Sequence, residues 1–103
     1  MTTVSHASAW VDHSAEPEHL VVHLRGELDL AACRTIEPAV MGAIETCPSV
    51  ALDLSALTFC DSSGIAMFLR AYTCARTTGT ILELRGIRPS VARVFALAGV
   101  VLT

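Results

Sequence analysis

Short apolar runs alternate along this chain with longer stretches of helical periodicity, and that alternation constrains its fold more than any other feature. Residues 20–26 (Leu-Val-Val-His-Leu-Arg-Gly), 50–54 (Val-Ala-Leu-Asp-Leu) and 81–85 (Ile-Leu-Glu-Leu-Arg) are dense in branched apolar residues and flanked by Gly or Pro, as strands are. Between the first two, Ala32, Ile36, Val40, Ala43, Ile44 and Cys47 share one stripe at helical spacing, with Asp29 placed as N-cap. Between the second and third, Phe68, Leu69, Tyr72 and Ala75 form another stripe, closed by Gly79. Pro89 and Ser90 open a short helix with Val91, Val94, Phe95 and Ala98 inward, and Gly99 closes it ahead of a last strand at 100–102. Residues 10–12 read as a short first strand, 13–18 as a turn, and 1–9 as a flexible N-terminus. The order β-β-α-β-α-β-α-β predicts an α/β fold, with a mixed, largely parallel central sheet and three to four helices packed on it.

Three local expectations follow. The near-continuous apolar run at 50–54 suits a strand covered on both faces or in the sheet centre. Gly26 is read as a strand stop, and Pro38 predicts that its helix bends or begins late. At 103 residues and 52% hydrophobic, the chain has room for one domain with one core.

Composition removes several functions. Ten acidic residues stand against seven Arg, with no Lys, for a net charge of −3. No basic stripe results, which argues against nucleic acid as a partner. Cys33, Cys47, Cys60 and Cys74 form no CxxC pair, and His6, His13, His19 and His23 form no ligand spacing, so no metal or cofactor is expected. The two cysteines that fall inside predicted helices are read as small core residues, and Cys60 as buried and inert. No charged-then-apolar leader and no apolar run of membrane length is present, which predicts a cytoplasmic protein without membrane insertion.

The tetrad Asp61-Ser62-Ser63-Gly64 is where chemistry concentrates. It stands between a strand and a helix, so it offers hydroxyls at a positive helix end, a place to put or remove a phosphate. Capping alone would account for one of these residues. Gly64 costs about 1 kcal/mol relative to Ala early in a helix, and reads as keeping the surface low and open. A serine hydrolase built on Ser62 lacks a GxSxG elbow and an evident Asp–His pair. A phosphate-binding P-loop is excluded by the absence of Lys.

Gly26-Glu27-Leu28-Asp29, the run from Leu52 through Asp61-Ser62-Ser63-Gly64-Ile65, and the segment from Pro89 to Gly99 together resemble the STAS domain of bacterial anti-sigma factor antagonists. The resemblance runs from about residue 10 to Thr103, although relatives usually continue with a further helix or tail. It implies the STAS fold over 10–103 and a regulatory switch by partner exchange, with no catalysis by the domain itself. The unphosphorylated protein would bind an anti-sigma factor that is also a serine kinase, freeing a sigma factor. The kinase would phosphorylate Ser62, with Ser63 the second choice, and a PP2C-type phosphatase would reset the switch. Asp29, Leu28, Asp61, Ser63, Gly64 and Ile65 are the implied partner-binding residues, with a monomer expected when free. A scaffold subunit of a membrane lipid or anion transporter is the alternative within the same family.

Overall fold

The computed structural model describes residues 4–6, 9–16, 19–97 and 99. Five strands and three helices follow in the order β1 (Val4–His6), β2 (Ala9–Glu16), β3 (His19–Leu28), α1 (Leu30–Thr46), β4 (Ser49–Cys60), α2 (Ser62–Thr78), β5 (Ile81–Arg85) and α3 (Pro89–Leu97). The strands lie in sequence order in one mixed sheet. The pairs β1–β2 and β2–β3 are antiparallel, while β3–β4 and β4–β5 are parallel and connected by α1 and α2. The expected α/β architecture is thus present. The strand expected at 100–102 and Ala98 lie outside the described residues.

One face of the sheet carries the core. Val11, Val22, Leu24, Leu28, Val50, Leu52, Leu54 and Leu57 from the strands form one buried cluster with Ala32, Ile36, Val40, Ile44, Met67, Phe68, Ala71, Val91 and Phe95 from the three helices. Phe68 of α2 meets Phe95 of α3 with ring centroids 5.5 Å apart, a tilted contact that locks the last helix down. Thr80 ties the far end together, its hydroxyl lying 2.7 Å from the Ile44 carbonyl and 3.2 Å from that of Cys47.

The opposite face carries Asp12, Ser14, His23, Arg25, Asp53, Glu83 and Arg85, and among the described residues no helix covers it. The register aligns Ser14, Val21, Ala51 and Glu83 in one row and Asp12, His23, Asp53 and Arg85 in the next. Val21 and Ala51 are nevertheless buried. Across this face Arg85 reaches diagonally from β5 to Glu16 on β2, with Nη1 3.3 Å from its carboxylate. The apolar run at 50–54 therefore has helices on one side and a charged strap on the other.

Several boundaries differ from the sequence expectation. Residues 4–6 of the segment read as a flexible N-terminus pair with β2 as a short strand. The stretch 13–16, expected as a turn, belongs to β2 and pairs with β3 throughout. Gly26 does not stop β3. It takes φ 90 at a register shift between β3 and β4, so the glycine marks a bulge inside a continuing strand. Helix α1 does not begin late: it starts at Leu30 and continues past Pro38 to Thr46. On α2, Leu69 and Tyr72 face outward, and Gly64, Met67 and Ala71 take the buried positions.

Candidate functional site

Strands β3 and β4 run parallel and end side by side, with Leu28 opposite Cys60. Each strand hands over to a helix through one aspartate. Asp29 caps α1 by accepting from the Ala32 N–H at 2.8 Å. Asp61 caps α2 by accepting from the N–H groups of Ser63 at 2.8 Å and Gly64 at 3.3 Å. The Asp61 N–H donates to the Leu28 carbonyl at 3.2 Å, which couples the two caps. Two helix N-termini thus sit beside one another at the carboxyl end of the parallel strands, both with their orphan amides partly satisfied.

That arrangement fixes the two serines differently. Ser62 is the first residue of α2 and is exposed, and its hydroxyl makes no hydrogen bond among the described residues. Ser63 is half-buried and faces a groove between α1 and α2, of about 190 Å³, lined also by Leu30, Cys33, Arg34, Glu37, Ala66 and Arg70. Arg70 crosses the groove to Glu37 in a two-pronged ion pair, with Nε donating to Oε2 at 2.9 Å. Arg34 is exposed and enters no ion pair among the described residues.

Gly64 is buried, and the reason for glycine differs from the one expected. A Cβ there would lie 2.3 Å from the Cys60 sulfur and 3.4 Å from Leu28 Cβ. The residue lets the first turn of α2 settle onto the ends of β3 and β4, an inward constraint rather than an outward one. Leu28 and Ile65 are likewise buried. Of the six implied partner contacts, Leu28, Gly64 and Ile65 support the motif from beneath, while Asp29, Asp61 and Ser63 reach its surface.

Below the motif lie two thiols. Burial, with the nearby charges of Asp61 and Glu37, pushes Cys33 up to about 11. Burial, then Cys33 and Asp61, pushes Cys60 up to about 12. Both remain protonated at neutral pH, so neither is poised as a thiolate.

The sequence reading missed two surface residues. Leu30 and Phe59 are 51% and 48% exposed and flank the tetrad, one opening α1 and the other two residues before Asp61. In the sequence Leu57 and Phe59 alternate around Thr58, a spacing that puts both on one face of a regular strand, yet Leu57 is buried. Register irregularities between β3 and β4 break the two-residue period there. The off-stripe position of Leu30 beside an N-cap was the available signal.

The missing Asp–His pair is also present, away from Ser62. His23 Nδ1 lies 2.7 Å from Asp53 Oδ2, on the helix-free face. Among the described residues no helix is long and apolar enough to cross a membrane.

A family model described as Mlab, STAS domain matches residues 11–101. The fold is similar to an anti-sigma factor antagonist from Mycobacterium paratuberculosis, with TM-score 0.76 and 22% identity, covering 93% of this chain and 82% of that one. The unphosphorylated anti-sigma factor antagonist SpoIIAA is similar at TM-score 0.72 and 26% identity, over 86% of this chain and 80% of the other. The phosphorylated form of SpoIIAA, a Bacillus cell fate determinant, is similar at TM-score 0.68 and 25% identity, over 86% and 83%.

Proposed function

The chain belongs to the STAS domain family, and from that membership we propose that it is an anti-sigma factor antagonist, binding an anti-sigma factor that doubles as a serine kinase and switched off by phosphorylation of Ser62. The observation that carries this reading is the state of Ser62: an exposed, unbonded hydroxyl on the first turn of a helix whose start is pinned by Asp61. SpoIIAA, similar over most of both chains, is an antagonist with phosphorylated and unphosphorylated forms. The exposed Leu30 and Phe59 give the surface around Ser62 an apolar component that a partner would cover.

Electrostatics makes such a switch effective at the interface and mild within the fold. A phosphate adds about −1.5 to −2 charges at pH 7. The N-terminus of α2 favours that charge by up to ~2 kcal/mol, and the neighbouring Asp61 carboxylate opposes it. Covered by a partner without a matching cation, the same dianion costs several kcal/mol. Each ~1.4 kcal/mol is tenfold in affinity, so two or more orders of magnitude in binding are within reach. The domain acts by binding, and a PP2C-type phosphatase restores it.

The scaffold reading, a subunit of a membrane lipid or anion transporter, keeps a place because the matching family model is described as Mlab rather than by sigma-factor control. Incubation with ATP and candidate anti-sigma kinases, followed by mass spectrometry, separates the two. Partner switching expects phosphate on Ser62, none in Ser62→Ala, and kinase binding lost in Ser62→Asp. An unmodified protein whose binding neither substitution alters would overturn it and favour the scaffold.

A further inference from the structure

The helix-free face of the sheet holds a chain of hydrogen bonds that the partner-binding site does not use. His23 Nε2 lies 2.8 Å from Ser14 Oγ, and its Nδ1 lies 2.7 Å from Asp53 Oδ2. Three strands contribute one residue each. Asp53 is held ionised below the ordinary carboxylate range: burial pushes it upward, but hydrogen bonds from Ser55 and from His23 outweigh that push. An ionised carboxylate can only accept, so the imidazole hydrogen on Nδ1 points to Asp53. In the neutral imidazole Nε2 is then the acceptor for the Ser14 hydroxyl. Nucleophile, base and orienter are then joined through the same ring nitrogens as in a serine hydrolase triad.

We propose that Ser14 is a nucleophilic serine that takes acyl groups from small activated esters, with His23 as its base and Asp53 as the residue that positions the ring. In the forward step Ser14 Oγ bonds to the ester carbonyl carbon and its proton passes to His23 Nε2. As the ester C–O bond breaks, His23 hands that proton to the leaving oxygen, which departs as the alcohol or phenol and leaves the imidazole neutral. In the return step water attacks the acyl carbon, gives its proton to His23, and the carboxylic acid departs as Ser14 regains its hydrogen. No redox partner or metal is needed.

The surroundings set the substrate class. Arg85 reaches Glu16, which is two residues along β2 from Ser14 on the same face, so its guanidinium is committed to a carboxylate there. The other charged and polar groups of the face are drawn to one another, although Arg25 Nε is buried without a hydrogen-bond partner among the described residues. Arg25 faces Asp12 at 3.8 Å, Arg85 also bonds Glu83, and His19 bonds Ser49. Ser14 is half-buried on a face that no helix covers among the described residues, which selects for small, reactive acyl donors and slow turnover.

The test is p-nitrophenyl acetate with the intact chain, read by the release of p-nitrophenolate and by peptide mapping. The proposal expects an early burst approaching one equivalent per chain and an acetyl group on Ser14. Ser14→Ala, which removes one oxygen, should abolish the burst. His23→Gln should slow acylation by at least about a hundredfold, and Asp53→Asn should slow it and displace its pH profile. Circular dichroism establishes that each variant is folded, and Ser14→Cys provides a second nucleophile at the same position that should restore acylation. Ser62→Ala should leave the burst intact, which separates this activity from partner switching. Acetylation of other residues only, or acylation of Ser14 at an unchanged rate in His23→Gln, would overturn the proposal and leave the chain as a tie between strands.

Discussion

Gly64 is held by what lies beneath it. Alanine at this position places a Cβ 2.3 Å from the Cys60 sulfur, so Gly64→Ala should destabilise the domain by about 1–3 kcal/mol, measured by urea denaturation. Cys60→Ala removes the obstructing atom, and the double variant should be more stable than the two single costs predict. From the sequence alone, the tetrad was identifiable as a helix start because Asp and Ser cap helices by local geometry. The role of Gly64 was not, because its neighbours Cys60 and Leu28 meet it only once β3 and β4 lie side by side. Asp53 makes the same point. Its lowered pKa stabilises the folded state above the unfolded carboxylate value of about 4, and that contribution disappears as pH falls through the folded value below it. Asp53→Asn should therefore weaken the loss of stability between pH 7 and acid, compared by urea midpoints at the two pH values.

Helices α1 and α2 were legible because their buried residues recur at 3.6-residue spacing, a property of each segment by itself. The strands were legible only where apolar residues cluster. Polar 13–16 was expected as a turn, yet it forms strand because β3 offers it a full antiparallel ladder. The Ser14–His23–Asp53 chain was invisible for a related reason: cross-strand register, not local pattern, brings those residues together. Helix α1 also carries two exposed defects. Pro38 denies a hydrogen bond to the preceding turn, and Gly42 has nothing within 4 Å of where a Cβ would stand. Gly42→Ala should stabilise by about 1 kcal/mol, and Pro38→Ala by up to about 3 kcal/mol, read as a higher thermal midpoint.

The domain as a whole is a one-sided layer of helices on a sheet, and its uncovered face is finished by long side chains instead. Arg85 reaches Glu16 across the face on which Val21 and Ala51 are buried. If its aliphatic stem supplies the cover, as such side chains commonly do, Arg85→Met should keep more of the denaturant resistance than Arg85→Ala. Equal losses in both would assign the effect to the ion pair with Glu16. The direction of the strands has a further effect. Because β3, β4 and β5 run the same way, the turns at 47–49 and 79–81 fall at the end of the sheet away from Ser62. Thr80 fastens that end through the carbonyls of Ile44 and Cys47, without reference to the tetrad. Insertions, fluorescent labels or an appended module beyond that fastening would leave the approach to Ser62 clear, so the domain can diversify at one pole while the pole that carries Ser62 stays fixed.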